Sequence, residues 1–460
     1  MQQEQADISL KPIEALLITL FILGGISYAI IINGVVPHVP IVLSIIGLMA
    51  FGMIKKVKIK ELEAGLIDGA KSGLGAVFIF FFIGMLISSW MVSGTIPTFI
   101  YMALEVVNGK FFYAIVFIVT SIIGMSIGSS LTTAATLGVA FMSISSVLGL
   151  SDAITAGAVI SGAFFGDKMS PLSDTTNLAS MIVKVDLFEH IRNMAWTTVP
   201  AFIISLILFA ILSPAEAVSS FSEIASLKAG LVNLGYVHWY SVIPFLLLAF
   251  LAIKRVSAIV TLSAGIISAL LFGFLIQNDF SIERMMNILY FGFKSDSGVE
   301  EIDSLLSRGG IESMLFSISL VLLALAMGGL LFKLAILPTL LKGIQGFLQK
   351  VPSLIASTAG VAIGINFLVG EQYLSILLTG NTFRKAYEDA GLHLKNLSRV
   401  LEDAGTVINP LVPWSVCGVF LTGVLEVDTI AYLPFTFFCL LSPLITVVFG
   451  ITGFTISKQK

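Results

Sequence analysis

Charge is scarce in this chain. Of 460 residues only 12% are Asp, Glu, Lys or Arg, 57% are hydrophobic, and mean hydropathy is +1.02. Soluble domains are roughly 45–50% apolar and about a quarter charged, so a soluble globular fold is excluded. Cysteine is scarcer still. Cys417 and Cys439 both sit in apolar segments and read as buried thiols, not as a disulfide framework. The four histidines, His38, His190, His238 and His393, fall in or beside loops and show no metal-ligand spacing. The net charge is −3, and nothing in the chain supports nucleic-acid binding. A secretory signal is also missing: the first apolar stretch, Ile13 to Ile32, is too long for a signal-peptide core, lacks a small-residue cleavage site and reads as a retained helix.

What the chain has is long apolar runs. Segments near 13–32, 35–54, 73–92, 193–212, 237–253, 256–276, 311–332 and 430–455 each approach the length that crosses about 30 Å of hydrocarbon as a helix. The fold class expected is therefore an all-α polytopic membrane protein. Two regions, 111–182 and 352–424, are less regular. Basic clusters at Lys55, Lys56, Lys58 and Lys60, at Lys254 and Arg255, and at Arg384, Lys385, Lys395 and Arg399 mark cytoplasmic loops. The segments Pro214–Tyr236 and Asn278–Gly310, carrying Glu216, Glu223, Asp279, Glu300, Glu301 and Asp303, are expected outside. These sides alternate only if each irregular region holds one re-entrant hairpin and one crossing. The result is about ten transmembrane helices with two re-entrant hairpins and two broken helices, both termini being cytoplasmic in the cell membrane.

The two irregular regions share a spacing. In "GSSLTTAATLG", Gly128 and Gly138 are ten apart, as are Gly370 and Gly380 in "GEQYLSILLTG". Downstream, "GDKMSP" (Gly166–Pro171) matches "GTVINP" (Gly405–Pro410) in Gly, then Ser or Asn, then Pro. With an odd number of crossings per half, the halves are expected to be inverted repeats: 1–212, an extracytoplasmic linker 213–236, and 237–460.

Pro171 removes a backbone donor and Gly166 loosens the preceding turn, so the helix starting near Ile154 should break there; Pro410 and Pro413 should break its counterpart. Broken backbone in a membrane is tolerated where it lines a cavity or holds an ion. Asp167, Lys168 and Asp174 lie in this first break. Asp167 either offsets Lys168 or serves a bound ion. Asp174, flanked by Ser173, Thr175, Thr176 and Asn177, offers the oxygen donors that a hard cation such as Na⁺ takes, and is the expected Na⁺ ligand. Ser170 and Asn409, each just before a helix-breaking proline, join the candidate set. So does Glu371 at the second hairpin tip, as an ion ligand or as a carboxylate reaching water. Asp403 is a further candidate, while Glu402 beside it reads as complementing the dipole at a helix start. Ser129, Ser130, Thr132 and Thr133 in the first hairpin are either ligands or helix-packing residues.

The stretch "SGAFFGDKMSPLSDTTNLA", Ser161 to Ala179, resembles the signature of the NhaC family of Na⁺/H⁺ antiporters, and "EDAGTVINPLVPW", Glu402 to Trp414, is similar to the family in the second half. The resemblance implies a secondary transporter of the ion-transporter superfamily with inverted repeats and paired re-entrant hairpins. It carries a functional role to Asp167, Lys168, Ser170, Asp174, Thr175, Thr176 and Asn177. Members of that family are plain Na⁺/H⁺ antiporters or exchangers of organic solutes, including malate and lactate, coupled to Na⁺ and H⁺. The leading expectation is a Na⁺/H⁺ antiporter; the alternative is an exchanger of small organic acids or amino acids. An intramembrane aspartyl protease is a remote third reading, since "FFGD" has Phe164 where the Gly-x-Gly-Asp element needs glycine. A channel would call for rings of charge that single carboxylates do not supply. No enzyme activity and no cofactor are expected. The expected partners are Na⁺ and H⁺ as transported ions, the lipid bilayer and, for an exchanger, a small carboxylate; association into a homo-oligomer stays open.

Overall fold

The computed structural model describes residues 10–106, 111–214, 228–254, 256–276, 281–297, 303, 306–344 and 350–459. Glu216, Glu223, Arg255, Asp279, Glu300 and Glu301 lie outside the described residues. Among the described residues the chain is helical, with one isolated bridge between Leu392 and Lys458. In hydrocarbon every backbone N–H and C=O must be satisfied within the chain, and a helix does this segment by segment.

Among the described residues six helices are long and apolar enough to span a membrane: Pro12–Ile32, Leu74–Val92, Leu187–Leu212, Ala258–Ile276, Ile311–Lys333 and Val351–Val369. Two bent pairs raise this to eight, Lys395–Leu411 with Val416–Leu425 at 46° and Thr429–Phe435 with Phe437–Thr452 at 58°. His38–Ile54 and Trp239–Leu251 correspond to the expected spans 35–54 and 237–253 but are shorter. Phe21 is 85% exposed and Leu275 80%, so these apolar helices present large hydrophobic side chains outward. A water-facing surface does not sustain such faces, and the molecule is an integral membrane protein.

The same run of local conformations occurs twice. Helix Phe112–Ile127 ends at Gly128 (φ +72°), Ser129 is extended, and Ser130–Thr133 continues through a π-helical turn, Ala134–Gly138, into Val139–Val147. Helix Val351–Val369 ends at Gly370, also at φ +72°, Glu371 is extended, and Gln372–Asp389 follows. Left-handed backbone at a helix C-terminus suits glycine, and the next residue then caps the returning helix. Ser129 accepts from Thr132 N, and Glu371 Oε2 accepts from Leu374 N at 2.7 Å. Each tip rests on the broken helix of its own half. Gly128 faces Ser170 and Leu172, while Gly370 faces Trp414 and Ser415.

The first break lies slightly later than the sequence suggests. Asp152–Met169 stays helical through Gly166 and ends at Ser170, and Asp174–Val183 begins after Pro171 and Leu172. Gly166 does not loosen a turn; it admits a close helix neighbour. A Cβ there would sit 2.4 Å from Met125 N and 2.5 Å from Ser121 O, and one at Gly162 would sit 2.0 Å from Thr120 Oγ1. This small-x-x-x-small face seats Asp152–Met169 against Phe112–Ile127, as membrane helices do where packing replaces the hydrophobic drive. Gly166→Val is expected to drive its side chain against the backbone of Phe112–Ile127 and force the helices apart, at a cost of at least about 1–3 kcal/mol. It should lower the yield of monodisperse protein and its melting temperature in detergent.

Candidate functional site

A cleft of about 520 Å³ opens where the first hairpin, the first break, the second hairpin and the helices Leu74–Val92 and Ala258–Ile276 meet. The first hairpin tip contributes Gly128 to Thr132, the first break Asp167, Pro171, Leu172, Asp174, Thr175 and Asn177, the helix entering at Ala258 contributes Thr261, and the second hairpin Gln372 and Tyr373.

Asp167 is the buried carboxylate of this cleft, at 5% exposure. Its Oδ2 accepts from Ser130 N at 3.1 Å and from Ser130 Oγ at 2.8 Å. Ser130 opens the returning helix of the first hairpin, so the carboxylate meets the positive end of a helix dipole and a free N–H together. Gly128 makes this contact possible by turning the chain back onto the break.

The polar residues after Asp167 mostly repair the break. Ser170 N donates to Asp167 O, and Ser170 Oγ accepts from Leu172 N. Thr176 Oγ1 donates to Lys168 O at 3.0 Å. Asn177 Nδ2 donates to Pro171 O at 3.0 Å and to Ser173 O at 2.7 Å. Thr175 Oγ1 lies 3.1 Å from Ser173 Oγ, the cap of the next helix. Except for Ser173 O, which also accepts the helical bond from Asn177 N, these carbonyls lost their helical partners when Pro171 ended the ladder, which explains why hydroxyl and amide side chains crowd this stretch. Thr175 and Asn177 also line the cleft.

Asp174 is exposed, lines the cleft, and occupies the first turn of Asp174–Val183, where a carboxylate complements the dipole. Asp174, the expected Na⁺ ligand, is thus the open carboxylate of the cleft, and Asp167 the buried one.

Asp167 and Lys168 do not pair. Adjacent helical residues point in different directions, and Lys168 reaches across to Leu401–Thr406. Its Nζ donates to Asp403 and to Ser442 Oγ, above the ring of Phe438. Asp403 also accepts from Thr197 Oγ1 at 2.8 Å, from Ser442 Oγ at 3.1 Å and from Thr446 Oγ1. Lys168 and Asp403 are fully buried, and the network ties together Asp152–Met169, Leu187–Leu212, Leu401–Thr406 and Phe437–Thr452.

The remaining candidates lie away from the cleft walls. Glu371 is buried as the cap of its helix, and it is the next two residues, Gln372 and Tyr373, that line the cleft. Asn409 closes the second break: its Nδ2 donates to Asn366 Oδ1 and its Oδ1 accepts from Cys417 N, both at 2.8 Å. Glu402 is not at a helix start. The helix begins at Lys395, and Glu402 lies in its π-helical continuation, fully buried, with both oxygens unpartnered. Gln372 and Tyr373 were readable as the polar residues following the quoted tip. Thr261, a single hydroxyl in an apolar span, gave no such signal.

Residues 162–454 match the model of the Na⁺/H⁺ antiporter family. The chain is 42% identical over 444 residues to the Na⁺/H⁺ antiporter NhaC of Alkalihalophilus pseudofirmus, covering 95% of this chain and 96% of that one. It is 38% identical to the arginine/ornithine antiporter ArcD of Halobacterium salinarum, over 85% of this chain and 82% of that protein. It is 34% identical to the malate-2H⁺/Na⁺-lactate antiporter of Bacillus subtilis, over 86% and 84% respectively. The buried Asp167 and the break around it fall within the matched region, and the chain belongs to the Na⁺/H⁺ antiporter family.

Proposed function

We propose that the chain is a secondary antiporter exchanging Na⁺ for H⁺ across the cytoplasmic membrane by alternating access, and that the two ions compete for Asp167. The observation that carries this reading is the setting of Asp167. It is a nearly buried carboxylate on the wall of a cleft lined in part by hydroxyl and amide side chains, bonded by Ser130 N and Oγ. Ionised, it holds a hard cation together with hydroxyl and amide oxygens of the cleft. Protonated, it has no charge to offer. Occupancy by one ion therefore excludes the other, which is the coupling an antiporter needs.

In this reading Ser170, Thr176 and Asn409 hold the breaks, Thr175 and Asn177 contribute oxygens to the cleft, and Glu371 sets the second tip beside it. Asp403 locks the two halves together rather than binding the ion. We place the halves, 1–212 and 237–460 around the linker 213–236, as inverted repeats of about ten crossings with both termini cytoplasmic. The repeated hairpin tips and breaks support that arrangement. Asp174, open to solvent at the cleft, draws in cations and adds a weaker ligand. Asp174→Asn is expected to raise the Na⁺ concentration for half-maximal exchange several-fold and to keep its pH dependence. The assay is a Na⁺ pulse to acid-loaded proteoliposomes with an internal pH dye.

A second reading is favoured by the size of the cleft. About 520 Å³ exceeds what one cation needs and lies in the range of small-molecule sites. Two relatives are named for solute exchange, arginine/ornithine and malate/lactate. Adding malate, lactate or arginine to the same vesicles separates the readings: exchange that runs only with a solute makes the protein a solute exchanger.

A further inference from the structure

Two facing helices of the second half carry a row of buried polar atoms without partners. On Gln372–Asp389 these are Gln372 Oε1, Thr379 Oγ1 and Tyr387 Oη; on the helix running from Lys395 to Thr406 they are Arg399 Nε and Nη2, both carboxylate oxygens of Glu402, and Thr406 Oγ1. The spacing, seven and eight residues on one helix, three and four on the other, puts each set on one face. The two helices pack against each other. Buried polar groups in native proteins are bonded to protein or to ordered water, so unpartnered polar atoms recurring along one packed face mark a wet seam. One end is Gln372 on the cleft. The other is Arg399, whose Nη1 donates to Thr455 Oγ1 at 3.0 Å near the end of the chain.

We infer that this seam is a proton path leading to the cleft that holds Asp167, in which Glu402 takes protons from a file of water and releases them along it. The inference rests on the Na⁺/H⁺ exchange reading above. The step is a plain transfer: a carboxylate oxygen of Glu402 gains the proton that a hydronium loses, and gives it up to the next water. Other groups near the seam are poorly placed for this. Asp403 is held by Lys168 and three hydroxyls. Asp174 is the only titratable group on Asp174–Val183 and is exposed, Phe437–Thr452 brings only Cys439, and Val351–Val369 brings none. Tyr373 and Tyr387 face from the second hairpin, and His190, fixed through Nδ1 by Ser398, keeps its Nε2 buried without a partner. Arg399, a fixed cation three residues before Glu402, repels a bare Na⁺ in the seam, as an arginine does in a selective pore.

The test uses the full chain in proteoliposomes, with two readouts on each variant. Glu402→Gln is expected to slow Na⁺-driven proton movement by about a hundredfold, the scale of losing a positioned proton carrier. Exchange of ²²Na⁺ against internal Na⁺, which needs no proton, should stay at the wild-type rate. Thr379→Val with Thr406→Val, which removes bonding partners for the water, should slow proton movement in the same selective way, and it decides the matter if Glu402→Gln fails to fold. Wild-type proton movement in the folded variant overturns the inference, as does a fall in ²²Na⁺ exchange equal to that in proton movement. Failure of the exchange reading itself looks different, because the wild-type protein would then show no Na⁺-driven pH change.

Discussion

Asp167→Asn is expected to reduce Na⁺-driven proton movement in proteoliposomes to the level of empty vesicles while the protein still folds. Asparagine keeps the volume and an oxygen able to accept from Ser130 N and Oγ, which the carboxylate meets at 3.1 and 2.8 Å. What it loses is the charge and the proton. Because Asp167 is 5% exposed, removing its charge also removes a desolvation cost, so the variant should be no less stable than wild type. Asp167→Glu should exchange more weakly but keep its pH dependence, since the longer side chain disturbs the Ser130 contacts without removing the titration. Near-normal, pH-sensitive exchange in a monodisperse Asp167→Asn protein would move the site to Asp174.

The second large effect concerns stability. Lys168→Ala leaves Asp403 buried with three hydroxyl donors and no counter-ion. Breaking a buried pair by removing one partner typically costs roughly 3–5 kcal/mol, because the remaining charge is stranded. The cost should appear as a large fall in melting temperature and monodisperse yield in detergent. Combining Lys168→Met with Asp403→Leu removes both charges and should recover much of it, since replacing a whole buried pair by apolar side chains is often neutral or better. A single Lys168→Ala variant as stable as wild type would show that the pair does not hold the halves together. A stable but inactive double variant would show that the pair serves transport as well.

Features encoded by local chemistry were legible in the sequence. The long apolar runs marked most of the spans, because one helix of about 20 apolar residues satisfies its own backbone, while 35–54 and 237–253 are met by shorter helices and Val351–Val369 lies in a region read as irregular. Pro171 marked the first break within three residues, and the Gly128 and Gly370 spacings marked both hairpin tips. The partners of the charges were not legible. Asp167 and Ser130 are 37 residues apart, and Lys168 and Asp403 are 235 apart. No local pattern distinguishes an aspartate that meets a hairpin tip from one that pairs with its neighbour. Gly166 was misread because proline and glycine together suggest a turn, whereas its role is set by the helix packed against it. Glu402 was misread because a π-helical continuation carries it well inside a helix that starts at Lys395.

The most direct measurement is the apparent Na⁺ affinity of the wild-type protein as a function of pH, read from initial rates of Na⁺-driven proton movement in proteoliposomes. Competition at one carboxylate predicts an affinity that improves about tenfold per pH unit while the site is mostly protonated, one unit being worth about 1.4 kcal/mol. At higher pH the affinity should level off once the proton no longer competes, and Asp167→Asn should abolish the exchange altogether. An apparent Na⁺ affinity that does not change with pH, or full exchange without the Asp167 carboxylate, would contradict a shared site for the two ions.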